Sequence, residues 1–505
     1  MPVENKTKHI LLFGAGKSAT VLIDYLKQLS IEKNWQVIVA DSDLKAVQQK
    51  VGHHSNTKAV AIDVTNEADR KKYIDAADLV ISLMPPQLHY LVAVDCLSLK
   101  KHLLTASYVD EDIKKLSSEI KQSNVLFLYE MGLDPGIDHM SAMQLIHSIK
   151  RQGGDITSFK SHCGGLIAPE SDDNPWHYKI SWNPRNIIMA GKAGAVYREN
   201  GETVELKYGD LFSAKHNVEV PKLGWYAYYP NRDSLSYLSL YGLDEAGTFL
   251  RTTLRHPDFC FGWKNIIDLK LTDEEKVYES DGLTVSGFFK RHFEKHGFSE
   301  WLTKLLGSRL EYAKSMMEQL MNLMQAEQEA LNDGEEPDDD FMMIDESGNL
   351  TTLNVDEVKN KAAESVALQM HEANLTLKQL FFLGLNDDTP INKGLCSAAD
   401  IIQLVAEEKL ALQQNDKDMI VMLHEIEYKL QDQTNTVKSA LVVKGIDNIH
   451  TAMAKTVGLP LGIAARLILE GAINESGLHI PNLDTIYEPV LKELKAFDIS
   501  FHEYH

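Results

Sequence analysis

His9-Ile10-Leu11-Leu12-Phe13-Gly14-Ala15-Gly16-Lys17-Ser18-Ala19, continuing as TVLIDYLKQL to Leu29, reads as a buried strand, a tight turn and the opening of a helix. Gly14 permits the turn and Gly16 lets a pyrophosphate approach the backbone. The helix start offers unpaired N–H groups and a positive dipole end to an anion. Ala19 stands in for the third glycine, as the pattern allows. Glycines mark many strand-to-helix turns, so the weight rests on the next strand. That second strand, at 36–40, ends on Asp41, where a dinucleotide site places its ribose-binding acid. A carboxylate there accepts from the ribose 2′-hydroxyl and repels a 2′-phosphate, so the expected cofactor is NAD, with NADP second.

Working outward, strand-type runs at 9–13, 36–40, 58–62, 79–83, 102–105 and 125–129 alternate with helical stretches. Strands without polar alternation, separated by helices, predict a doubly wound parallel sheet covered on both faces. Ligands of such sheets sit beyond the carboxyl ends of the strands, which singles out Gly14 to Lys17, Asp41 to Asp43, Asp63, Pro85-Pro86, Ala106 to Tyr108 and Met131 to Asp134. Asp43 and Asp63 also read as helix caps, and Pro85-Pro86 as a strand end.

After Gly132 the rhythm changes. Leu133-Asp134-Pro135-Gly136 is a turn into a helix at 140–150. Short alternating segments at 156–163, 194–197, 225–229 and 248–256, with a hairpin at 419–430 and 437–444, predict a largely antiparallel sheet. The fold class is therefore α/β, a Rossmann-type domain with an α+β substrate domain and a helical insertion. The expected division is 1–132 completed by 452–505 for the dinucleotide domain, 133–304 with 415–451 for the substrate domain, and 305–414 for a mostly helical part. An acidic insert near 333–346 reads as a solvated loop. The methionines at 316–324 recur at helical spacing, as a packed face would.

The chain has 505 residues, 44% of them hydrophobic, and a formal charge of −22. That length implies several domains, and the charge argues against nucleic acid and anionic membranes as partners. No apolar run stands out as a membrane span and the first residues lack a signal-peptide core, so a cytoplasmic location is expected. Four scattered cysteines without CxxC spacing indicate neither a disulfide framework nor a zinc knuckle. His424-Glu425 lacks the second histidine of a zinc protease, and no metal is expected.

Longer motifs carry a resemblance. Thr105-Ala106-Ser107-Tyr108-Val109, Gly132-Leu133-Asp134-Pro135-Gly136-Ile137-Asp138-His139, Cys163-Gly164-Gly165-Leu166, Ser181-Trp182, Tyr229-Pro230-Asn231-Arg232-Asp233-Ser234, Thr253-Leu254-Arg255 and Ala452-Met453-Ala454-Lys455-Thr456 occur in that order. Together they resemble the glutamate-forming saccharopine dehydrogenase, or saccharopine reductase, family. The resemblance implies an oxidoreductase of lysine metabolism interconverting L-saccharopine with L-glutamate and 2-aminoadipate 6-semialdehyde, using a nicotinamide cofactor. It implies that Gly14, Ala15, Gly16, Lys17, Asp41, Ser42, Asp43, Asp63, Leu83, Thr105, Ala106, Leu133, Asp134, Pro135 and Ser181 line the dinucleotide. Ser107, Tyr108, Asp134, Arg232, Thr253, Leu254 and Arg255 would hold the substrate, with Tyr108, Asp134 and Cys163 nearest the chemistry. The implied partner is a small amino-acid substrate; the sequence leaves the oligomeric state open, a homodimer being the assembly considered.

The residue chemistry runs in the same direction. A substrate with several carboxylates calls for guanidinium groups, and Arg232 and Arg255, with Arg185 third, supply them in an acidic protein. Oxidation beside an amine nitrogen followed by hydrolysis needs one positioned acid/base, for which Asp134 and Tyr108 are candidates. Cys163 reads equally as a small buried side chain. Two rival readings are a related C–N dehydrogenase such as a carboxynorspermidine synthase, and a catalytically idle nucleotide-binding scaffold.

Overall fold

The computed structural model describes residues 7–213, 216–332, 340–344, 350–431 and 433–504. The strand His9–Phe13 is buried along nearly its whole length and sits inside a 7-stranded, wholly parallel sheet. The order across the sheet is Gly477–His479, Leu126–Leu128, His102–Thr105, Leu79–Ser82, His9–Phe13, Gln36–Asp41 and Thr57–Ala61. All six expected strands are present, and the chain's last portion adds a seventh. Crossover helices cover both faces, and an apolar core lies on each side of the sheet.

The helix Ala452–Leu469 returns to this domain and packs on Thr20–Glu32. A Cβ on Gly458 would stand 2.9 Å from Leu22 N, so glycine is what allows the two helices to approach so closely. This helix is long and apolar enough by composition to cross a membrane, contrary to the sequence reading. However, 78% of its 18-residue window is buried inside the protein. Its burial against protein accounts for the apolar composition.

A second, 10-stranded sheet follows the order His216–Val220, Gly224–Pro230, Thr248–Arg255, Asp155–Ile167, Asp418–Leu430, Gln433–Lys444 and His502–Tyr504, with Ala195–Glu199, Glu202–Leu206 and Arg232–Asp233 beside that path. It is antiparallel along the main path except where Thr248–Arg255 runs parallel to Asp155–Ile167. Strand alternation assigns the faces. Cys163, Phe249 and Met422 belong to one apolar core, Leu254, Met419 and Val421 to the other. These two sheets belong to one compact unit, 1–173, 177–257 and 410–505.

The second unit comprises 174–176 and 258–409, whereas the sequence reading divides the chain at 305 and 414. It contains the helices Val285–His296, Phe298–Asn332, Val355–Phe382 and Ala398–Lys409, and the strand pair Asp340–Ile344 and Leu350–Asn354. Trp176, Phe259 and Trp263 cluster in it, and Gln379 binds the carbonyls of Pro175 and Asp258, both at 2.9 Å. Met317, Met321 and Met324 are at least half exposed on their helix, so they do not form the packed face their spacing suggests. Most of the acidic insert, including 333–339, lies outside the described residues.

Candidate active site

The strand His9–Phe13 lies between Gln36–Asp41 and Leu79–Ser82. Connections leave it toward opposite sides, which opens a crevice at the carboxyl ends of the strands. Gly14 and Leu83 form its floor. Gly14 has φ +99°, and a Cβ there would stand 2.7 Å from Leu83 O. Gly16 is the converse, with nothing within 4 Å of the Cβ it lacks. That open cradle in front of the turn Lys17–Ala19 and the helix Thr20–Glu32 fits a pyrophosphate.

Asp41 is already engaged. Its Oδ2 accepts from Ala15 N at 2.8 Å and its Oδ1 from Asp43 N at 3.1 Å and Ser42 Oγ at 3.3 Å. Asp43 caps the helix Leu44–Val51 through Ala46 N, as one reading of it expected. Lys50 reaches back to Gly16 O at 2.5 Å, and burial holds its ammonium below the usual lysine range. Asp63 does not cap the next helix. It accepts from Thr65 N and Oγ, while Asn66 caps Glu67–Asp75.

Thr105, Ala106, Ser107 and Tyr108 follow the adjacent strand His102–Thr105. Thr105 Oγ1 accepts from Ser107 N at 3.2 Å. The loop carrying Leu133, Asp134 and Pro135 presses on this segment, since a Cβ on Gly132 would stand 2.8 Å from Ala106 Cβ. The Asp134–Pro135 bond is cis. The loop then enters the buried helix Ile137–Arg151.

The polar centre is a buried cluster around a residue that the sequence reading missed. Arg251 Nη2 donates to Asp134 Oδ1 and Asp138 Oδ2, both at 2.7 Å, and its guanidinium lies 4.4 Å from the centre of the Tyr237 ring. Tyr237 donates to Glu130 Oε2 at 2.9 Å, and the same oxygen is 2.8 Å from His139 Nε2. Glu130 Oε1 accepts from Val109 N, and Glu130 itself sits at φ +56°, a conformation unusual for a side chain of this kind.

The electrostatics split the two aspartates. Burial and then the neighbouring Asp138 push the Asp134 carboxyl up to about 6, against the opposing pull of Arg251. Burial acts the same way on Asp138, but His139, Arg251 and the Gly136 N–H outweigh it and hold that carboxyl below its ordinary value. Burial and Asp134 raise the Tyr108 hydroxyl, and burial, Asp134 and Asp138 raise the Cys163 thiol far above the usual range. Both are therefore neutral near neutral pH.

The structure thus places both Tyr108 and Cys163 under the electrostatic influence of Asp134 and Arg251. Arg232 is exposed and lies 5.1 Å from the Tyr108 ring centre. Arg255 is buried, 5.2 Å from the Tyr178 ring centre, with Nη1 donating to Leu254 O at 2.8 Å. Thr253 pairs in register with Cys163 on the same strand face as Arg251 and Arg255. Leu254 turns its side chain into the core on the opposite face. Ser181 is a hydrogen-bond partner of Asp418, whose carboxylate also accepts from Ala452 N and Met453 N at the start of Ala452–Leu469. Arg185 is half-buried in the short helix Pro184–Ile188. Period-two spacing of Arg251, Thr253 and Arg255 on one strand is the signal by which Arg251 was legible.

A parallel sheet of this order, a glycine cradle at its switch point and an acid–guanidinium cluster beyond its strand ends define a dinucleotide-dependent oxidoreductase with a second, α+β domain. The family model "Saccharopine dehydrogenase NADP binding domain" matches residues 10–128, and "Saccharopine dehydrogenase C-terminal domain" matches 132–499. The chain belongs to the saccharopine dehydrogenase family. It is 31% identical over 490 residues to the Saccharomyces cerevisiae saccharopine dehydrogenase [NADP(+), L-glutamate-forming], covering 97% of each chain. It is also 31% identical to the Arabidopsis thaliana alpha-aminoadipic semialdehyde synthase, of whose length it spans 45%. The apo saccharopine dehydrogenase (L-Glu forming) structure from S. cerevisiae superposes with a TM-score of 0.75 at 28% identity, covering 98% of this chain and 99% of that one.

These findings overturn the expectation of NAD. The dinucleotide domain is matched by an NADP binding model, and fungal relatives carry NADP(+) in their names. The physical reason lies at Asp41. Its carboxylate holds the glycine turn through Ala15 N and the adjoining loop through Asp43 N, so the acid at this position serves the loop itself and is a poor indicator of a free ribose 2′-hydroxyl.

Proposed function

We propose that this protein is an L-glutamate-forming saccharopine dehydrogenase using NADP, interconverting L-saccharopine with L-glutamate and L-2-aminoadipate 6-semialdehyde. The observation that carries the reading is Asp134, largely enclosed just past the parallel strands, 2.7 Å from Arg251 Nη2 and with its carboxyl near 6, whose charge acts on both Tyr108 and Cys163. The full-length likeness to the yeast enzyme supports it.

Gly14, Ala15, Gly16, Lys17, Leu83, Thr105 and Ala106 would hold the dinucleotide, which when bound supplies hydride acceptance or donation at its nicotinamide. Arg232, with its exposed guanidinium, binds a substrate carboxylate, and Arg255 and Thr253 line the same strand face. In the oxidative direction the carbon beside the secondary amine loses hydride and the nitrogen becomes an imine. Asp134, ionised above its raised value, takes the amine proton and releases it to solvent, then takes the proton of the water that adds to the imine carbon. The carbinolamine collapses to aldehyde and amine as Asp134 returns that proton to the departing nitrogen and then accepts the proton that the hydroxyl gives up in becoming the carbonyl. Tyr108 stays neutral and orients the nitrogen or the water by hydrogen bonding. Cys163 stays a thiol and serves as a small wall.

Adding L-saccharopine and NADP+ to the purified protein and following the reduced-nicotinamide absorbance tests the reading. Turnover supports it. Absence of turnover with saccharopine while carboxynorspermidine reacts moves the protein to another C–N dehydrogenase activity.

A further inference from the structure

A buried chain of hydrogen bonds runs beneath the crevice. Ser82, the last residue of Leu79–Ser82, is fully buried, with its Oγ 2.8 Å from His89 Nδ1. His89 sits in the helix Pro86–Ser98, only 3% exposed, and its Nε2 is 2.6 Å from Ser107 Oγ. Ser107 is half-buried just past the neighbouring strand, with Glu130 N donating to its carbonyl at 3.0 Å. One imidazole therefore links a hydroxyl inside the sheet to a hydroxyl at the site. Burial lowers the His89 imidazole to about 4, so near neutral pH one ring nitrogen donates and the other accepts.

We propose that His89 is a positioning residue for substrate binding: Ser82 donates to Nδ1, which fixes the Nε2–H tautomer, and Nε2–H donates to Ser107 Oγ. Ser107 Oγ is then held as an acceptor on its inner side, and its own O–H is left to donate to a substrate carboxylate. The opposite tautomer would consume the Ser107 proton on Nε2 and present only lone pairs to an anion. The inference deepens the saccharopine reading and rests on it for the identity of the carboxylate. The polarity of the chain itself is independent of the substrate.

Two measurements test this separately. In the first, nitrogen NMR of 15N-histidine-labelled full-length protein without substrate reads the His89 tautomer, assigned by loss of its signals in His89→Gln. Protonated Nε2 with unprotonated Nδ1, unchanged down to about pH 5, is expected. The Nδ1–H tautomer, or a charged ring at neutral pH, overturns the proposal whatever the substrate is. In the second, saccharopine kinetics are compared for Ser82→Ala, His89→Phe, Ser107→Ala and the His89→Phe/Ser107→Ala pair. The KM for saccharopine should rise about tenfold in His89→Phe and Ser107→Ala, consistent with the loss of one hydrogen bond to a charged group. It should rise no further in the double variant. His89→Gln, which keeps an N–H near the Nε2 position, should recover most of the loss, and the KM for NADP+ should stay within about twofold throughout, since no cofactor contact is removed. Additive effects, or an unchanged KM in both His89→Phe and Ser82→Ala, would reduce His89 to a structural residue. If His89→Phe does not fold, Ser82→Ala carries the test, with a smaller rise of the same kind expected. A wild-type protein inert toward saccharopine would refute the functional reading while the NMR result still decides the tautomer.

Discussion

Arg251 and Asp134 meet at 2.7 Å through a single guanidinium nitrogen, Nη2, which Asp138 reaches at the same distance. The three side chains are nearly buried, with 4%, 14% and 2% of the arginine, Asp134 and Asp138 side chains exposed. One cation thus serves two carboxylates, and their burial makes the division unequal. Asp138, with the Gly136 N–H and His139 at its other side, keeps its charge. Asp134 keeps a carboxyl that titrates near neutrality, the condition for an acid/base that must take and return a proton in one cycle.

This division fixes the sign of a pH effect. Asp138 raises Asp134 by like-charge repulsion, so Asp138→Asn removes a repulsion that favours the protonated form. The acid limb of kcat/KM for saccharopine, set by ionisation of Asp134, should move to lower pH by on the order of one unit. A limb that stays in place, or moves up, would remove Asp134 from the base role.

Arg251→Met should cost stability as well as activity. It leaves two buried carboxylates without their cation, and breaking a buried pair in this way costs about 3–5 kcal/mol. Urea unfolding measures it. Adding Asp138→Asn should restore part of the loss. Equal stability of Arg251→Met and wild type would mean that the cluster is hydrated and the carboxylates are not confined.

Much of this arrangement was legible from local pattern. Apolar strands punctuated by glycine revealed the parallel sheet, because strand period and turn chemistry are properties of adjacent residues. The site was harder. Arg251 lies 117 residues from Asp134 and 113 from Asp138, and only the pairing of Thr248–Arg255 with Asp155–Ile167 carries it to them. His89 is a lone histidine in a largely apolar helix, and its role depends on two strands that the sequence does not show to be neighbours. Asp41 misled for a related reason: its position in the motif was right, but the sequence does not tell that Ala15 and Asp43 occupy its oxygens.

The two glycines of the turn should fail in different ways. Gly14→Ala meets Leu83 O and a positive φ, so it should unfold more readily by about 1 kcal/mol or more. Gly16→Ala meets nothing in the protein and should leave the melting temperature nearly unchanged, yet weaken NADPH binding measured by fluorescence titration. Unimpaired NADPH binding by Gly16→Ala would place the pyrophosphate elsewhere.

Arg232→Ala should raise the KM for saccharopine while NADPH affinity holds. Losing a charge-assisted contact to a carboxylate costs about 1.5–3 kcal/mol, roughly a tenfold to hundredfold change. Steady-state kinetics with saccharopine varied at saturating NADP+ make the comparison, and an unchanged KM would return Arg232 to a surface role stacked on Tyr108.

The most direct measurement is the stoichiometry of a complete turnover. Purified protein is given L-saccharopine and NADP+, and NADPH, L-glutamate and 2-aminoadipate 6-semialdehyde are quantified together, by absorbance and by mass spectrometry. All three should appear in equal amounts, and Asp134→Asn should abolish them together without loss of NADPH binding. NADPH formed without glutamate, or no reaction of saccharopine with NADP+ in a folded, NADPH-binding protein, would contradict the assignment.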